Sequence, residues 1–386
     1  MTRFNELYDE YGKTKDVVVF MNKNKKDGLR FLLARSLDKK HSLELLGLDS
    51  KSNLKEIELM ENVFSSKLSQ KEIIEYIDSQ KQSIDEERSE KESGLSEIIT
   101  NYGPVQCGLR NDKVDDLVKQ LVRDKSIKTI DELNDRIDNN IVPRISNYIK
   151  WSFYNQVTND LIEHFFIRHP KVIPTLRKIP NVDFFLRVGT EIIPFDLKIT
   201  HIADSCFDIL SQSPTKTNGN DSYMISDEES EEVSIKYFYK SIKKEYDLPN
   251  LSGLSKIEMI EILSKVNDPR VSKFILDCNK NRTMMVKSLD KNIELVEWWN
   301  YKYQGERLFC NNNRFFIFLA YLDSFEDGRP IKGELSQIEK TIKKALDNLT
   351  IKNIRTIRYH YDKDPSLRGN YTVRSTSVLI TKNINE

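Results

Sequence analysis

Cysteine is scarce. The 386 residues hold four, Cys107, Cys206, Cys278 and Cys310, with no CxxC pair. That spacing argues against a zinc ribbon and a dense disulfide framework, and it fits a reducing compartment. Of five histidines only His164 and His169 are near one another, so a histidine-built metal site would need distant parts of the chain. Long apolar runs are also missing. The stretch 315–322 falls far short of the roughly 18 residues of a bilayer span. The polar start Met1-Thr2-Arg3-Phe4-Asn5 lacks the apolar stretch of a signal peptide. The expectation is a cytoplasmic chain with no membrane partner. An excess of one charge is absent too, with 60 Lys+Arg against 60 Asp+Glu, so any nucleic-acid footprint must be local. The chain has no GxxxxGK[ST], GxGxxG or GxSxG, which sets aside the chemistries those loops serve. A Ca²⁺ loop at 22–28 fails because Lys26 and Asp27 stand at its fifth and sixth positions.

What is present reads as a globular protein: 38% hydrophobic, 10% aromatic and 31% charged residues. At roughly 150 residues per domain the length allows two or three. Residues 1–140 read as a mainly helical N-terminal domain, after a short strand candidate at Val17-Val18-Val19-Phe20. Within it Ser69-Gln70-Lys71-Glu72 forms a capping box ahead of Ile73, Ile74 and Ile77. The stretch 85–93 mixes both charges without apolar periodicity and reads as a linker or exposed helix.

From Pro143 the pattern changes. Trp151, Tyr154, Val157, Leu161, Ile162, Phe165 and Phe166 recur at helical spacing until Pro170, and Ser152, Gln156, Asn159 and Glu163 form a polar stripe on the same helix. Strands are expected at 171–177, 182–188 and 191–200. A mobile loop is expected at 211–226, then an acidic run from Asp227 and Glu228 opening a helix that ends near Lys240. Helices are expected at 255–266 and 290–303. The nearly unbroken apolar run 314–322 predicts a strand buried on both faces and central in a sheet. A helix with Leu335, Ile338, Ile342, Leu346 and Leu349 inward and a closing strand at 371–381 complete the chain. The fold class is α/β, an α+β mixed sheet flanked by helices. Residues 141–386 form its core, with a helical insertion at about 205–310.

The segment 181–200 carries the chemistry. If Gly189-Thr190 is a two-residue hairpin turn, paired positions sum to 379, and Asp183 faces Asp196. Like charges there repel, and Lys198 projects from the same strand face. A hard divalent cation answers the repulsion. Mg²⁺ prefers oxygen ligands, and the Leu197 carbonyl is available as a further donor. Glu163, at the end of the polar stripe, is the candidate third carboxylate. Metal-assisted phosphodiester hydrolysis fits such a group, with Lys198 binding a phosphate oxygen or orienting the attacking water. Asp204 and Asp208 are rival acids beyond the strand, read as capping or solvating the segment after it.

These residues resemble the PD-(D/E)xK nuclease superfamily, whose core has an αβββαβ order. The resemblance implies Asp183 as the first acid, Asp196 as the second, Lys198 as the lysine and Glu163 as the helix carboxylate. Val182 stands where the motif has proline. With Trp298 to Phe309 and Asn313 to Leu319 downstream, the chain looks like a type II restriction endonuclease with a restriction-endonuclease-like core. That likeness covers about 144–381. It implies Mg²⁺-dependent cleavage of double-stranded DNA, with Mn²⁺ as a substitute, by a homodimer. A recognition or dimerisation role for 1–140 rests on position alone.

Two basic clusters are candidate DNA contacts. One comprises Arg168, His169, Lys171, Arg177 and Lys178. The other comprises Lys352, Arg355, Arg358, Lys363, Arg368 and Arg374, with Tyr359, His360, Tyr361 and Tyr371 among them. Gln156 and Asn159 are further candidates. The other readings are a modification-dependent or phage-defence nuclease, and a non-catalytic DNA-binding module on the same fold. For Asp196 and Lys198 alone, an exposed i, i+2 ion pair is the bland reading.

Overall fold

A computed structural model describes residues 2–14, 16–102, 111–226, 229–306 and 309–384. Cys107, Asp227 and Glu228 therefore lie outside the described residues, and the three described cysteines are free.

The chain begins with helices α1 (Arg3–Thr14), α2 (Val17–Arg35), α3 (Lys39–Leu46), α4 (Glu56–Ser65), α5 (Gln70–Ser79), α6 (Lys81–Lys91) and α7 (Leu95–Thr100). The strand expected at 17–20 is helical. Asp16 caps α2 by accepting from the Val19 amide, and Val17, Phe20, Asn24, Gly28 and Phe31 are buried at helical spacing, which outweighs a β-branched run of three. The expected capping box at Ser69 opens α5, with Ile73, Ile74 and Ile77 buried. Helices α8 (Asn111–Val122) and α9 (Ile130–Arg136) and a π turn (Ile137–Ile141) lead into α10 (Val142–Ile167). This is the long half-buried helix read from the aromatic spacing.

The sheet begins with β1 (Val172–Ile179), β2 (Val182–Val188) and β3 (Glu191–His201). The segment expected to be one helical insertion contains α11 (Asp204–Ser211), a small hairpin of β4 (Thr215–Lys216) and β5 (Tyr223–Met224), α12 (Glu231–Ile242), α13 (Lys256–Ser264) and the kinked α14 (Pro269–Lys302). The loop expected at 211–226 thus holds two short strands. Then come β6 (Arg314–Tyr321), α15 (Leu335–Asp347), β7 (Arg355–Tyr361) and β8 (Gly369–Lys382).

The fold is a mixed six-stranded sheet, β1-β2-β3-β6-β8-β7, with helices on both faces. β6 pairs in parallel with β3 and β8, and seven of its eight residues are buried. Helices α10 and α15 cover one face, meeting Phe184, Phe195, Phe315 and Ile317. On the other face two covers meet side by side. Helices α1, α2, α4 and α5 share a core with Ile173, Ile179, Val182 and Phe185, while α14 covers Phe316, Phe318, Ile357 and Tyr359. The N-terminal helices therefore close on the sheet rather than on themselves. β7 is an addition to the expected strands; its residues 355–361 alternate, with Ile357, Tyr359 and Tyr361 inward. No helix among the described residues is long and apolar enough to cross a membrane.

Candidate active site

The β2–β3 hairpin has the register its turn demands. Phe184 pairs with Phe195, and the ladder runs to Val188 with Glu191 around Gly189-Thr190. Gly189 has φ 61°, while Thr190 is not among the residues with positive φ, as a type II′ turn requires. On the other side of β2 the two-residue link Pro180-Asn181, with Asn181 at φ 64°, joins Ile179 to Val182. Pro ahead of a residue with positive φ is type II turn chemistry. It delivers Asp183 at the second position of β2.

Beyond Phe195 the third strand gains β6 as a partner, starting with the Asp196 amide donating to the Asn313 carbonyl at 2.9 Å. In that parallel ladder alternate residues use their peptide groups, so the Leu197 amide and carbonyl point back toward β2. The amide donates to the Asp183 Oδ2 at 2.6 Å. Side chains alternate oppositely: Leu197 and Ile199 join the core under α10 and α15, while Asp196 and Lys198 face the α14 side with Arg314 and Phe316. The two acids and the lysine thus share one face.

They lie at the seam between the two covers. Tyr11 of α1 donates to the Pro180 carbonyl at 2.5 Å. The Val17 amide donates to Asn312 Oδ1 at 2.9 Å, and Asn311 Nδ2 donates to Asp16 Oδ2 at 3.0 Å. The N-terminal helices therefore brace both the turn before Asp183 and the segment before β6.

The electrostatics are unbalanced at one acid and compensated at the other. Burial, then the neighbouring Asp196 charge, pushes the Asp183 carboxyl up to about 7, against the pull of the Leu197 amide. Glu163 adds to that repulsion. Asp196 instead meets a counter-ion, because Arg314, its register partner on β6, places Nε 3.3 Å from Oδ2. Arg314 is itself buried. It lies 5.0 Å from the Tyr301 ring centroid and donates to Gln304 Oε1 at 3.3 Å. Lys198 stays open to solvent, yet the protein around its amine, with the Arg314 cation, holds its pKa below the usual lysine value.

Glu163 is placed differently. Burial raises its carboxyl, and Arg88 of α6 binds it at 3.3 Å. It reaches Asp183 as a charge while α6 holds its oxygens. Among the described residues no group of three or more His, Cys, Asp or Glu side chains could hold a metal ion. The donors on hand are the two aspartates, with the Leu197 carbonyl directed to the same side.

The charged stretch 85–93 is not a solvated linker. Asp85 and Glu92 each approach a ring nitrogen of buried His164 at 2.8 Å, and Arg88 also donates to the Asp160 carbonyl at 2.6 Å, so the segment is bound to α10.

Most of the expected DNA contacts are engaged within the fold. Lys171 donates to the carbonyls of Leu346, Asp347 and Leu349 at 2.8, 2.8 and 2.9 Å, closing the end of α15. Arg168 pairs with Asp85 at 2.5 Å, Arg177 with Glu56 at 2.9 Å and Arg355 with buried Glu297 at 2.7 Å. Arg374 pairs with Glu191. Gln156 donates to Asp160 at 2.9 Å, and Asn159 accepts from Lys332 at 2.7 Å. Arg358 is half-buried, with its Nε unpartnered. Lys178 and Arg368 are exposed, and no hydrogen bond or ion pair engages either among the described residues. Lys178 lies close enough to Asp183 and Glu163 to lower the pKa of both.

Sequence reasoning missed Arg314, which heads the apolar run read only as a strand. The signal was a charged residue, preceded by Asn311-Asn312-Asn313, opening a segment otherwise fully apolar. All four are buried, and Asn313 bonds both Pro194 and the Arg374 amide. A large open groove of about 1010 Å³, lined by Tyr154, His164, Arg168 and Glu339 among others, lies on the α10 face and includes none of the four catalytic candidates.

Comparison with protein-family models, with curated proteins and with solved structures returns no match.

Proposed function

We propose that the chain is a Mg²⁺-dependent endodeoxyribonuclease of the type II restriction class, hydrolysing phosphodiester bonds of double-stranded DNA at a specific sequence. The observation that carries this reading is the meeting of Asp183, Asp196 and Lys198 on one sheet face at a cleft between two helical covers. The element order supports a restriction-endonuclease-like core: α10, three antiparallel strands, a helical segment ending in α14, then the buried parallel β6.

A divalent cation fits the donor set, since Asp183 is left with an uncompensated neighbour charge. Asp183, Asp196 and the Leu197 carbonyl would hold it, with Glu163 adding negative charge from α10. When bound, such an ion supplies Lewis acidity toward the phosphoryl oxygens and acidifies water. The chain's own groups do the rest. Lys198, exposed beside the acids and with a lowered pKa, donates to a phosphate oxygen and orients the nucleophilic water. Asp183 binds the Leu197 amide and so keeps its carboxylate turned into the cleft. Phe195 and Phe184 pack on the opposite face and hold the hairpin rigid.

The test is cleavage of unmethylated phage DNA with Mg²⁺, beside EDTA and Asp196→Ala controls. Discrete fragments that require both the ion and Asp196 are expected, and Lys198→Ala should slow turnover by about 10² or more. Full cleavage by the Asp196→Ala chain would reject the site.

A further inference from the structure

Arg314 is an unusual neighbour for a carboxylate expected to bind a cation. It occupies the same register step as Asp196, contacts one of its two oxygens at 3.3 Å, and is 6% exposed. It is fixed on both sides, by Gln304 Oε1 at 3.3 Å and by the Tyr301 and Phe316 rings at 5.0 and 6.0 Å. An arginine cannot shed its proton in a protein, and one packed in this way cannot swing into solvent. With both aspartates ionised, Arg314 and Lys198 bring the formal charge of the cluster to zero. A divalent ion entering that cluster alone faces two cations. A phosphodiester arriving with it draws Lys198 onto its own oxygens and adds a negative charge where the ion sits.

We propose that Arg314 makes cation capture by Asp183 and Asp196 conditional on the DNA phosphate. The inference rests on the nuclease reading and adds an order of events to it: the ion joins the site with the substrate and not before. The arginine thereby keeps the carboxylate pair from holding a metal, and from acting on stray water, when no DNA is present. It also positions Asp196, leaving one oxygen directed to the cleft.

The experiment tracks free Mn²⁺ by its electron paramagnetic resonance signal, with sonicated unmethylated phage DNA as the phosphate source. The Asp196→Asn chain with the same DNA gives the background. The wild-type chain should bind Mn²⁺ about tenfold or more tighter with DNA than without it. Arg314→Gln, which keeps an amide donor but loses the charge, should gain about tenfold in Mn²⁺ affinity without DNA, while Arg314→Lys should not. If Arg314→Gln does not fold by circular dichroism, the two wild-type arms decide alone. Equal Mn²⁺ binding by the wild-type chain in both arms, together with DNA cleavage, removes the conditional role and leaves the nuclease reading standing. No Mn²⁺ uptake in any arm and no cleavage removes both.

Discussion

Two groups of charged residues lie against the same sheet, and they are wired in opposite ways. In the insertion, Lys256 donates to the Asp204 carbonyl, Asp208 and Glu231 at 2.8, 2.9 and 2.9 Å. Arg282 pairs with Asp204 at 2.7 Å, with the Phe207 and Phe325 ring centroids each 4.0 Å from its guanidinium. Both cations are nearly sealed from water, and each meets more than one acceptor. At the β2–β3 hairpin two carboxylates face each other and a lysine stands beside them in solvent, with Arg314 attending to only one acid. A buried cluster whose charges answer each other holds helices together. A cluster left unbalanced costs stability, and that cost is understandable where a ligand completes it.

The largest effects should separate the two clusters cleanly. Asp196→Ala is expected to reduce cleavage by about 10³ or more with little loss of thermal stability, because it removes a group the fold does not need. Lys256→Ala should do the reverse. It strands the Asp208 and Glu231 carboxylates in the interior and should cost about 3–5 kcal/mol, read by urea denaturation. A destabilised Asp196→Ala chain, or a stable Lys256→Ala chain, would erase the distinction.

A smaller effect tests the imbalance itself. The Asp183 carboxyl lies at about 7 in the fold against an ordinary 3.8, so its raised value favours the folded chain fully only below about pH 4, and that benefit is lost as the pH rises through about 7. Asp183→Asn stays neutral at every pH. In the absence of metal it should be more stable than the wild type at pH 8 by on the order of 2 kcal/mol, allowing for solvent at a half-buried site, with the gap closing toward pH 4. Mg²⁺ with DNA should reverse the order, since only the wild-type chain has the carboxylate to bind it. Thermal melts across that pH range, with and without the ion, give the answer. A gap that does not change with pH would mean that Asp183 is ionised without strain.

Much of this was legible in the sequence for plain reasons. Strand period, the Gly189 turn and the Pro170 stop set the hairpin register, and register alone put Asp183 across from Asp196. The central place of β6 was readable from its unbroken apolar run. The failures share a cause: they concern what a charge touches. Local reading takes 85–93 as solvated because its partners, His164 and Arg168, are more than seventy positions away. It takes Asp204 and Asp208 as caps, and only the fold brings Lys256 and Arg282 to them. Val17-Val18-Val19 looks extended because burial of Phe20 and Phe31 on one helical face is a tertiary fact.

The same lesson applies to the basic residues, and it gives the finest test of the contrast between matched and unmatched charge. Lys171 and Lys178 are seven residues apart on or beside β1, and sequence alone offers no means of ranking them as phosphate contacts. The fold ranks them. Lys171 has three carbonyl partners at the end of α15, whereas Lys178 is exposed beside the acids. Each phosphate contact contributes about 0.9 to the slope of log affinity against log salt on duplex DNA. Lys178→Gln should therefore lower that slope by about 0.9 on every DNA sequence tried, without changing the melting temperature. Lys171→Gln should leave the slope alone and lower stability by about 1–3 kcal/mol, the cost of carbonyls deprived of a charged donor. Titrations at several salt concentrations, paired with melts, separate the two. A slope change at Lys171 would mean that its amine leaves α15 for DNA, and that charges matched within this fold are still open to exchange.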